Sequence, residues 1–563
     1  MSEAPARSPE RTRFPRFFSW IAFSAIIVAY VFFVVRLHPT SFFGFSHDDT
    51  LYFSSAKAIA EGHGYILPSL PGTPSATKYP ILYPWILSWV WRWNPSFPAN
   101  ISSAVALNLV FGVSYLLAAF AFLRRLPGFS DVIALILTAV CALNPRVLFL
   151  SANLMADIPF AAFALGACVV AARVSEKEAK SSATVWCGIL TGLSILIRTM
   201  GIPIAAGLFL AICLRSGWRK ASVFAACVVP FVGALLWRSM FLTPQMPSAG
   251  ANRCAQSWQT MWLYYTSYAG FWKTDVLSHG VFWQTVASNL RSVVLQPGMY
   301  FVKLTFIRPT VLALVLVLVL SAIAIRGMFR LADSARWQPI HFALGFSILP
   351  ILIWDYSVMD RFLIPFFPLF CAAICIEVRQ IVWQVRNSPT RKGSSVERKL
   401  AAVFLCAAGA VLLWGVEGSW RGEIGSIKKI SESRGALLEQ KRAAYAWLEK
   451  KTAPNSRILA YEDASAFLYS GRQGLRPVIF SAAGVYRPDV LSSELACIVS
   501  SAKPLGANYW VMSDDDFASE WEPASSRALE KEREMERTLG PLFRSEHGGV
   551  RIYKLDAEEG PAL

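Results

Sequence analysis

Eleven separate apolar stretches leave few folds open to this chain. The first runs from Phe17 to Val35 behind a basic lead of Arg7, Arg11, Arg13 and Arg16. Ten more follow at roughly 101–123, 131–145, 155–172, 184–198, 201–214, 221–241, 301–325, 339–354, 362–383 and 399–416. A bilayer core is crossed by about twenty apolar residues in helical form, because a helix satisfies all its backbone polar groups internally. The chain is therefore expected to be a polytopic α-helical membrane protein of about 11 spans. Composition agrees: 55% of the 563 residues are hydrophobic and only 16% are charged, where a soluble chain carries about a quarter. No small-residue cleavage site follows Val35, so the first stretch reads as a retained span and not as a signal peptide.

The net charge of +17 invites a nucleic-acid partner, but such binding needs the charge gathered on a polar surface. From Trp420 onward there are 20 basic and 21 acidic residues, so the whole excess lies in the apolar part. There it collects in short linkers: the four N-terminal arginines; Arg124 and Arg125; Arg173, Lys177 and Lys180; Arg215, Arg219 and Lys220; Arg326, Arg330 and Arg336; Arg386, Arg391, Lys392, Arg398 and Lys399. Short basic loops stay in the cytoplasm, which predicts a cytoplasmic N-terminus and, with an odd span count, an extracytoplasmic C-terminus. No nucleic-acid partner is expected. The expected organisation is a cytoplasmic basic N-terminus at 1–16, a transmembrane domain at 17–419 with long outer loops 37–100 and 242–300, and an extracytoplasmic α/β domain at 420–563.

In the first outer loop a helical run at 50–61 ends at Gly62. An aromatic amphipathic run at 81–93 follows, whose Trp85, Trp89, Trp91 and Trp93 suit the headgroup level. After Trp420 the pattern predicts helices at 436–451, 463–470, 489–501 and 516–538, strands at 457–461, 477–480 and 508–513, and a strand pair at 542–546 and 550–555. There is no GxGxxG after a strand, no Walker sequence and no internal repeat. Of the ten cysteines all but Cys254 and Cys497 lie in apolar runs, and they read as small core residues, not as a disulfide framework or zinc site.

Ionisable residues near hydrocarbon are costly and mark function, and here they gather at the outer ends of spans: Asp48, Asp49, Lys78, Asp157, Arg198, Asp355, Asp360 and Arg361. Each has a plainer reading. Asp48 or Asp49 could N-cap the helix at 50–61, Asp157 could cap a helix carrying Pro159 in its first turn, Arg198 and Arg361 could snorkel, and Lys78 could be an ordinary loop lysine. His47, His63 and His279 lack metal-ligand spacing. Nucleotide-activated donors are cytosolic, so a transferase working on the outer face needs a donor carried by the membrane. A polyprenyl-phosphate sugar suits this face: Lys and Arg meet its phosphate while a carboxylate takes the proton of an acceptor hydroxyl.

The stretch Gly44-Phe45-Ser46-His47-Asp48-Asp49-Thr50-Leu51-Tyr52 resembles the acidic-pair loop of bacterial GT-C glycosyltransferases, relatives of the protein O-mannosyltransferases and the lipid A aminoarabinose transferase. Lys78-Tyr79-Pro80-Ile81-Leu82-Tyr83-Pro84 resembles their KPPLYP segment, with Tyr79 where the commoner pattern has a first proline. Asp157-Ile158-Pro159-Phe160, Gly192-Leu193-Ser194-Ile195-Leu196-Ile197-Arg198 and Asp360-Arg361-Phe362-Leu363-Ile364-Pro365 are similar to later motifs of the same superfamily, in matching order.

The resemblance implies a GT-C-like membrane domain with a C-terminal extracytoplasmic α/β domain, located in a bacterial plasma (inner) membrane. It also implies inverting transfer from a polyprenyl-phosphate-linked sugar to a lipid, glycan or protein acceptor. Asp48 matches the catalytic acid, Asp49 stands where many members have Glu, and Asp157 matches the second loop acid. Lys78, and with it Arg198 and Arg361, matches donor-phosphate contacts. No cofactor is required by the resemblance, which leaves room for a divalent metal beside Asp157. Neighbouring helical positions diverge by about 100°, so one of the two loop acids is expected to be the base, and Asp48 is preferred. A membrane transporter or flippase is the competing class; it predicts charges deep within spans and symmetric halves. A non-catalytic membrane protein whose outer domain binds a partner is the third.

Overall fold

The computed structural model describes residues 16–176, 180–245, 254–334, 337–355, 359–387, 395–498, 506–518, 520 and 522–555. Of the basic segments, residues 1–15, with Arg7, Arg11 and Arg13, lie outside the described residues, as do Lys177, Arg336, Arg391 and Lys392.

Among the described residues six helices are long and apolar enough to cross a membrane: Phe17–Arg36, Asn100–Leu123, Asp157–Val174, Trp218–Phe241, Thr310–Ser334 and Asp360–Val385. A seventh is the pair Asp131–Ala142 and Pro145–Ala152, bent by 56°. The break falls where Asn144 caps the second helix through the N–H groups of Arg146 and Val147, with Pro145 at its first position. Three shorter apolar helices, Ser181–Ile197, Gly201–Ser216 and Pro339–Leu352, lie among these. The stretch 399–416 forms part of a single helix, Ser395–Lys451. The chain is a multi-pass membrane protein.

Both long loops contain helices. The first folds into Asp48–Ala60 and Leu82–Trp93, and the second into Ala255–Thr266, Tyr268–Trp272 and Phe282–Met299. Trp85, Trp89 and Trp93 are exposed, as an interfacial helix requires. Trp91 is not: it is buried against Phe53 and Phe97 and donates its indole N–H to the Phe53 carbonyl, so it packs this helix onto Asp48–Ala60 and does not face lipid.

Beyond the membrane helices stands a five-stranded sheet of β1 (Arg457–Ala460), β2 (Gln473–Leu475), β3 (Tyr509–Ser513), β4 (Pro541–Arg544) and β5 (Val550–Lys554), in the order β2-β1-β3-β5-β4. β1 is parallel to both neighbours, whereas β5 is antiparallel to β3 and β4. The strand expected at 477–480 does not form. β2 ends at Leu475, Pro477 has no N–H to give a ladder, and 476–480 leaves the sheet to line a cavity described below. The helix expected at 436–451 begins 41 residues earlier, at Ser395, so that position 420 lies inside a continuous 57-residue helix.

Three sets of contacts fasten the α/β unit to the loops. From the long helix, buried Arg434 and Lys441 both bond to Glu462 and to Asp515. Asp275 accepts from the backbone N–H of Ala482 and Ala483. Cys254 and Cys497, expected as separate core residues, form a disulfide across 243 positions. They are the two cysteines outside the apolar runs, and the pairing was invisible because only the docking of the unit on the second long loop brings them together.

Candidate active site

The loop that leads into Asp48–Ala60 is tightly held. Gly44 has φ +90, and a Cβ there would stand 2.7 Å from a Glu462 carboxylate oxygen, so glycine is required by both conformation and space. His47 is the N-cap residue, with φ 57, a strained conformation for a side chain this size. Three contacts hold it: Nε2 bonds to Asp463 Oδ1 at 2.7 Å, Nδ1 meets the Tyr264 hydroxyl at 3.2 Å, and its carbonyl accepts from Thr50 Oγ1. Tyr265 donates to the other Asp463 oxygen. Burial keeps the imidazole below its usual pKa despite Asp463, so a neutral ring that donates to Asp463 accepts the Tyr264 hydroxyl.

This geometry separates the two acids. Neither is the N-cap; both lie in the first turn, where negative charge suits the helix dipole. Asp49 is buried and turned back into the loop, accepting from the N–H groups of Gly44 and Thr50. Burial pushes its carboxyl up to about 7, against those two bonds. Asp48 instead faces a cavity of about 520 Å³. It accepts from the Tyr79 hydroxyl at 2.6 Å and from Arg361 Nη2 at 3.2 Å. Burial would raise its pKa, but Arg361, Lys78 and Tyr79 together hold it below the ordinary value. The residue that departs from the commoner motif, Tyr79, is therefore a direct partner of Asp48.

Asp157, Arg198 and Arg361 converge from three different spans. Asp157 begins its helix and has no exposed surface. It accepts from Arg198 Nη1 at 2.6 Å and from Arg361 Nε and Nη2 at 3.2 Å or a little more. Arg198 can reach because the preceding helix stops there, with extended backbone at φ −145, and turns into Gly201–Ser216. A Cβ at Gly201 would meet the backbone of Ile195 at 2.6 Å, so that turn needs a glycine. Both arginines pair with a carboxylate instead of snorkelling, and both still line the cavity.

Lys78 lines the same cavity with its ammonium 3.8 Å from the Tyr264 ring centre, 4.9 Å from that of Tyr79 and 5.3 Å from that of Tyr268. Ring faces attract a cation without neutralising it, and among the described residues no carboxylate forms an ion pair with it. Burial brings the lysine down to about 8, against the pull of Asp48 and Asp355. Of the six residues expected at the site, five line the cavity or bond to residues that do, and Asp49 supports the loop behind it.

The opposite wall comes from segments with no motif. Arg476 lies over the Tyr461 ring at 3.7 Å and donates to the Tyr461 carbonyl, while Ile479, Phe480 and Glu520 complete that side. Asp463 and Arg476 sit in a part of the sequence without catalytic signatures, and only the docking of the sheet exposes their role. The Arg361 guanidinium bridges Asp48 and Asp157. Among the described residues no group of three His, Cys, Asp or Glu gathers as a ligand set.

The helical bundle, its acidic first loop and the α/β unit over the charged cavity make up a fold that is also found in solved structures. The fold is shared with ArnT from Cupriavidus metallidurans bound to undecaprenyl phosphate, at a TM-score of 0.51 and 11% identity over 94% of this chain and 99% of that one. It is also shared with the Archaeoglobus fulgidus oligosaccharyltransferase in the apo form, at 0.53 and 14% over 96% of this chain and 75% of that one. No protein-family model and no curated protein matches the sequence.

Proposed function

We propose that this chain is a glycosyltransferase that moves a sugar, with inversion, from a polyprenyl-phosphate donor to an acceptor hydroxyl or phosphate at the outer face of a bacterial plasma membrane. The observation that carries the reading is the meeting, in one cavity, of Asp48, held below its usual pKa, and a lysine that makes no ion pair with a carboxylate among the described residues. The acceptor gives its proton to Asp48 as its oxygen bonds to the sugar C1. The bond from C1 to the phosphate oxygen breaks, and the phosphate departs with the electron pair toward Lys78, with Arg198 and Arg361 behind it. A base held at low pKa stays ionised at neutral pH and takes the proton late, once bond formation has made the hydroxyl acidic.

The donor class is supported by a fold held in common with a protein that binds undecaprenyl phosphate, and by the place of the cavity at the membrane end of the α/β unit. The outward orientation is supported by the Cys254–Cys497 disulfide, since such bonds persist in oxidising compartments. In this reading the N-terminus is cytoplasmic, and the basic linkers lie with it on the side opposite the disulfide. The test is transfer of radiolabel from polyprenyl-phosphate sugars by detergent-solubilised protein. Asp48→Asn and Lys78→Ala are expected to lose at least about 100-fold in rate, and Asp49→Asn, which keeps an acceptor for one of the two loop N–H groups, far less. Undiminished transfer in Asp48→Asn and Lys78→Ala would remove the site assignment.

A further inference from the structure

Asp355, like Glu423 and Glu520, is a carboxylate on the cavity wall that the reaction above leaves unused. It is buried, and its Oδ1 has no hydrogen-bond partner among the described residues. A buried oxygen left unpaired costs about 1–3 kcal/mol and calls for a reason. The segment before it is firmly built. Asn289 donates to the carbonyls of Ile351, Leu352 and Trp354, and Trp272 donates to that of Ile353. The Trp354 ring packs on Tyr268 at 5.3 Å, and Tyr268 is one of the three rings around Lys78. Asp355 and Lys78 thus line the same cavity, close enough for their charges to interact.

We propose that the Asp355 carboxyl, with its Oδ1 unpaired on the cavity wall, donates a hydrogen bond to the phosphate that leaves the sugar, and so is a further catalytic residue. This rests on the transferase reading. Burial and the nearby Asp275 carboxylate, opposed by Lys78, push Asp355 up to about 8, so its proton is retained at neutral pH. A phosphate monoester has a second pKa of about 6, so full transfer of the proton to it is unfavourable. The proton stays on Asp355 and serves as a fixed donor toward developing negative charge, as a buried neutral carboxylic acid can. Above pH 8 the ionised group would repel the same phosphate.

Two measurements test this on the full chain in detergent, with wild type, Asp355→Asn and Asp355→Leu. In the first, undecaprenyl phosphate is titrated into each protein between pH 7 and 9.5. Wild type releases it as both Lys78 and Asp355 deprotonate; Asp355→Asn, which still donates but cannot ionise, is expected to show at least about fivefold less weakening over that range. In the second, transfer is followed at saturating donor. Asp355→Asn is expected to keep kcat within about fivefold at pH 7, and Asp355→Leu to lose about 10- to 1000-fold with donor KM little changed. Identical pH dependence of binding in wild type and Asp355→Asn, or full kcat in Asp355→Leu, would overturn the assignment. If the lipid phosphate binds as described but no donor supports transfer, the transferase reading falls and the phosphate contact stands.

Discussion

Replacing Asp157 by Asn removes the charge that holds three spans together at the cavity floor. Asp157 is wholly buried and takes a 2.6 Å bond from Arg198 and three longer ones from Arg361. An amide keeps one acceptor oxygen, so the contact with Arg198 can survive while the charge cannot. Breaking one side of a buried ion pair costs about 3–5 kcal/mol. Arg361 retains Asp48 at 3.2 Å, so the lower half of that range, about 3 kcal/mol, is expected here. Arg361 then leans wholly on Asp48 and weakens it as a base. Because each 1.4 kcal/mol is a factor of ten, a loss of about 100-fold in kcat/KM is expected. The assay pairs transfer rates with the temperature at which detergent-solubilised protein loses its folded, monodisperse state. A second variant, Asp157→Asn with Arg198→Gln, removes one of the cations left unpaired and is expected to recover at least about 1 kcal/mol relative to the sum of the single changes. Strict additivity within about 0.5 kcal/mol, or an Asp157→Asn protein equal to wild type in rate and stability, would refute the idea that this carboxylate organises the site.

Two shorter predictions follow from the same geometry. Tyr79→Phe removes the 2.6 Å donor that favours ionised Asp48; its carboxyl pKa therefore rises, and the fall of kcat/KM on acidification is expected at higher pH than in wild type, with rates at pH 7 reduced about threefold to tenfold. An unchanged acid limb would show that Asp48 is not the group titrating there. In a background with the exposed Cys406 replaced, maleimide is expected to label Cys497 only after reduction or in Cys254→Ser, and that variant to lose about 2–4 kcal/mol of stability. Labelling of unreduced protein would show the two thiols to be free.

What could be read in the chain beforehand was what depends on local pattern. Apolar length marked the membrane helices, and acids and bases at their ends marked the cavity. Asp48, Lys78, Asp157, Arg198 and Arg361 were legible because a charge next to hydrocarbon stands out against its neighbours. Contacts between distant segments were not. Asp463 reaches His47 across 416 positions and Arg476 comes from a stretch with an ordinary strand pattern. Which of two adjacent carboxylates faces the cavity depended on the backbone at Gly44 and His47. The strand expected at 477–480 failed for a related reason: its apolar residues were needed at the cavity wall and not in the sheet.

The helix Ser395–Lys451 has a consequence for how this protein can be divided. At 1.5 Å per residue its 57 residues measure about 85 Å, with one end among the membrane helices and the other bearing Arg434 and Lys441 under the sheet. No hinge separates the two. A truncation meant to yield a free-standing α/β unit has to cut through hydrogen-bonded helix, and it takes from the acidic loop the Asp463 carboxylate that holds His47. The α/β unit is a portion of the cavity wall on a stiff stem, and purification or engineering that treats it as a module would leave the helical half with an open, unframed cavity.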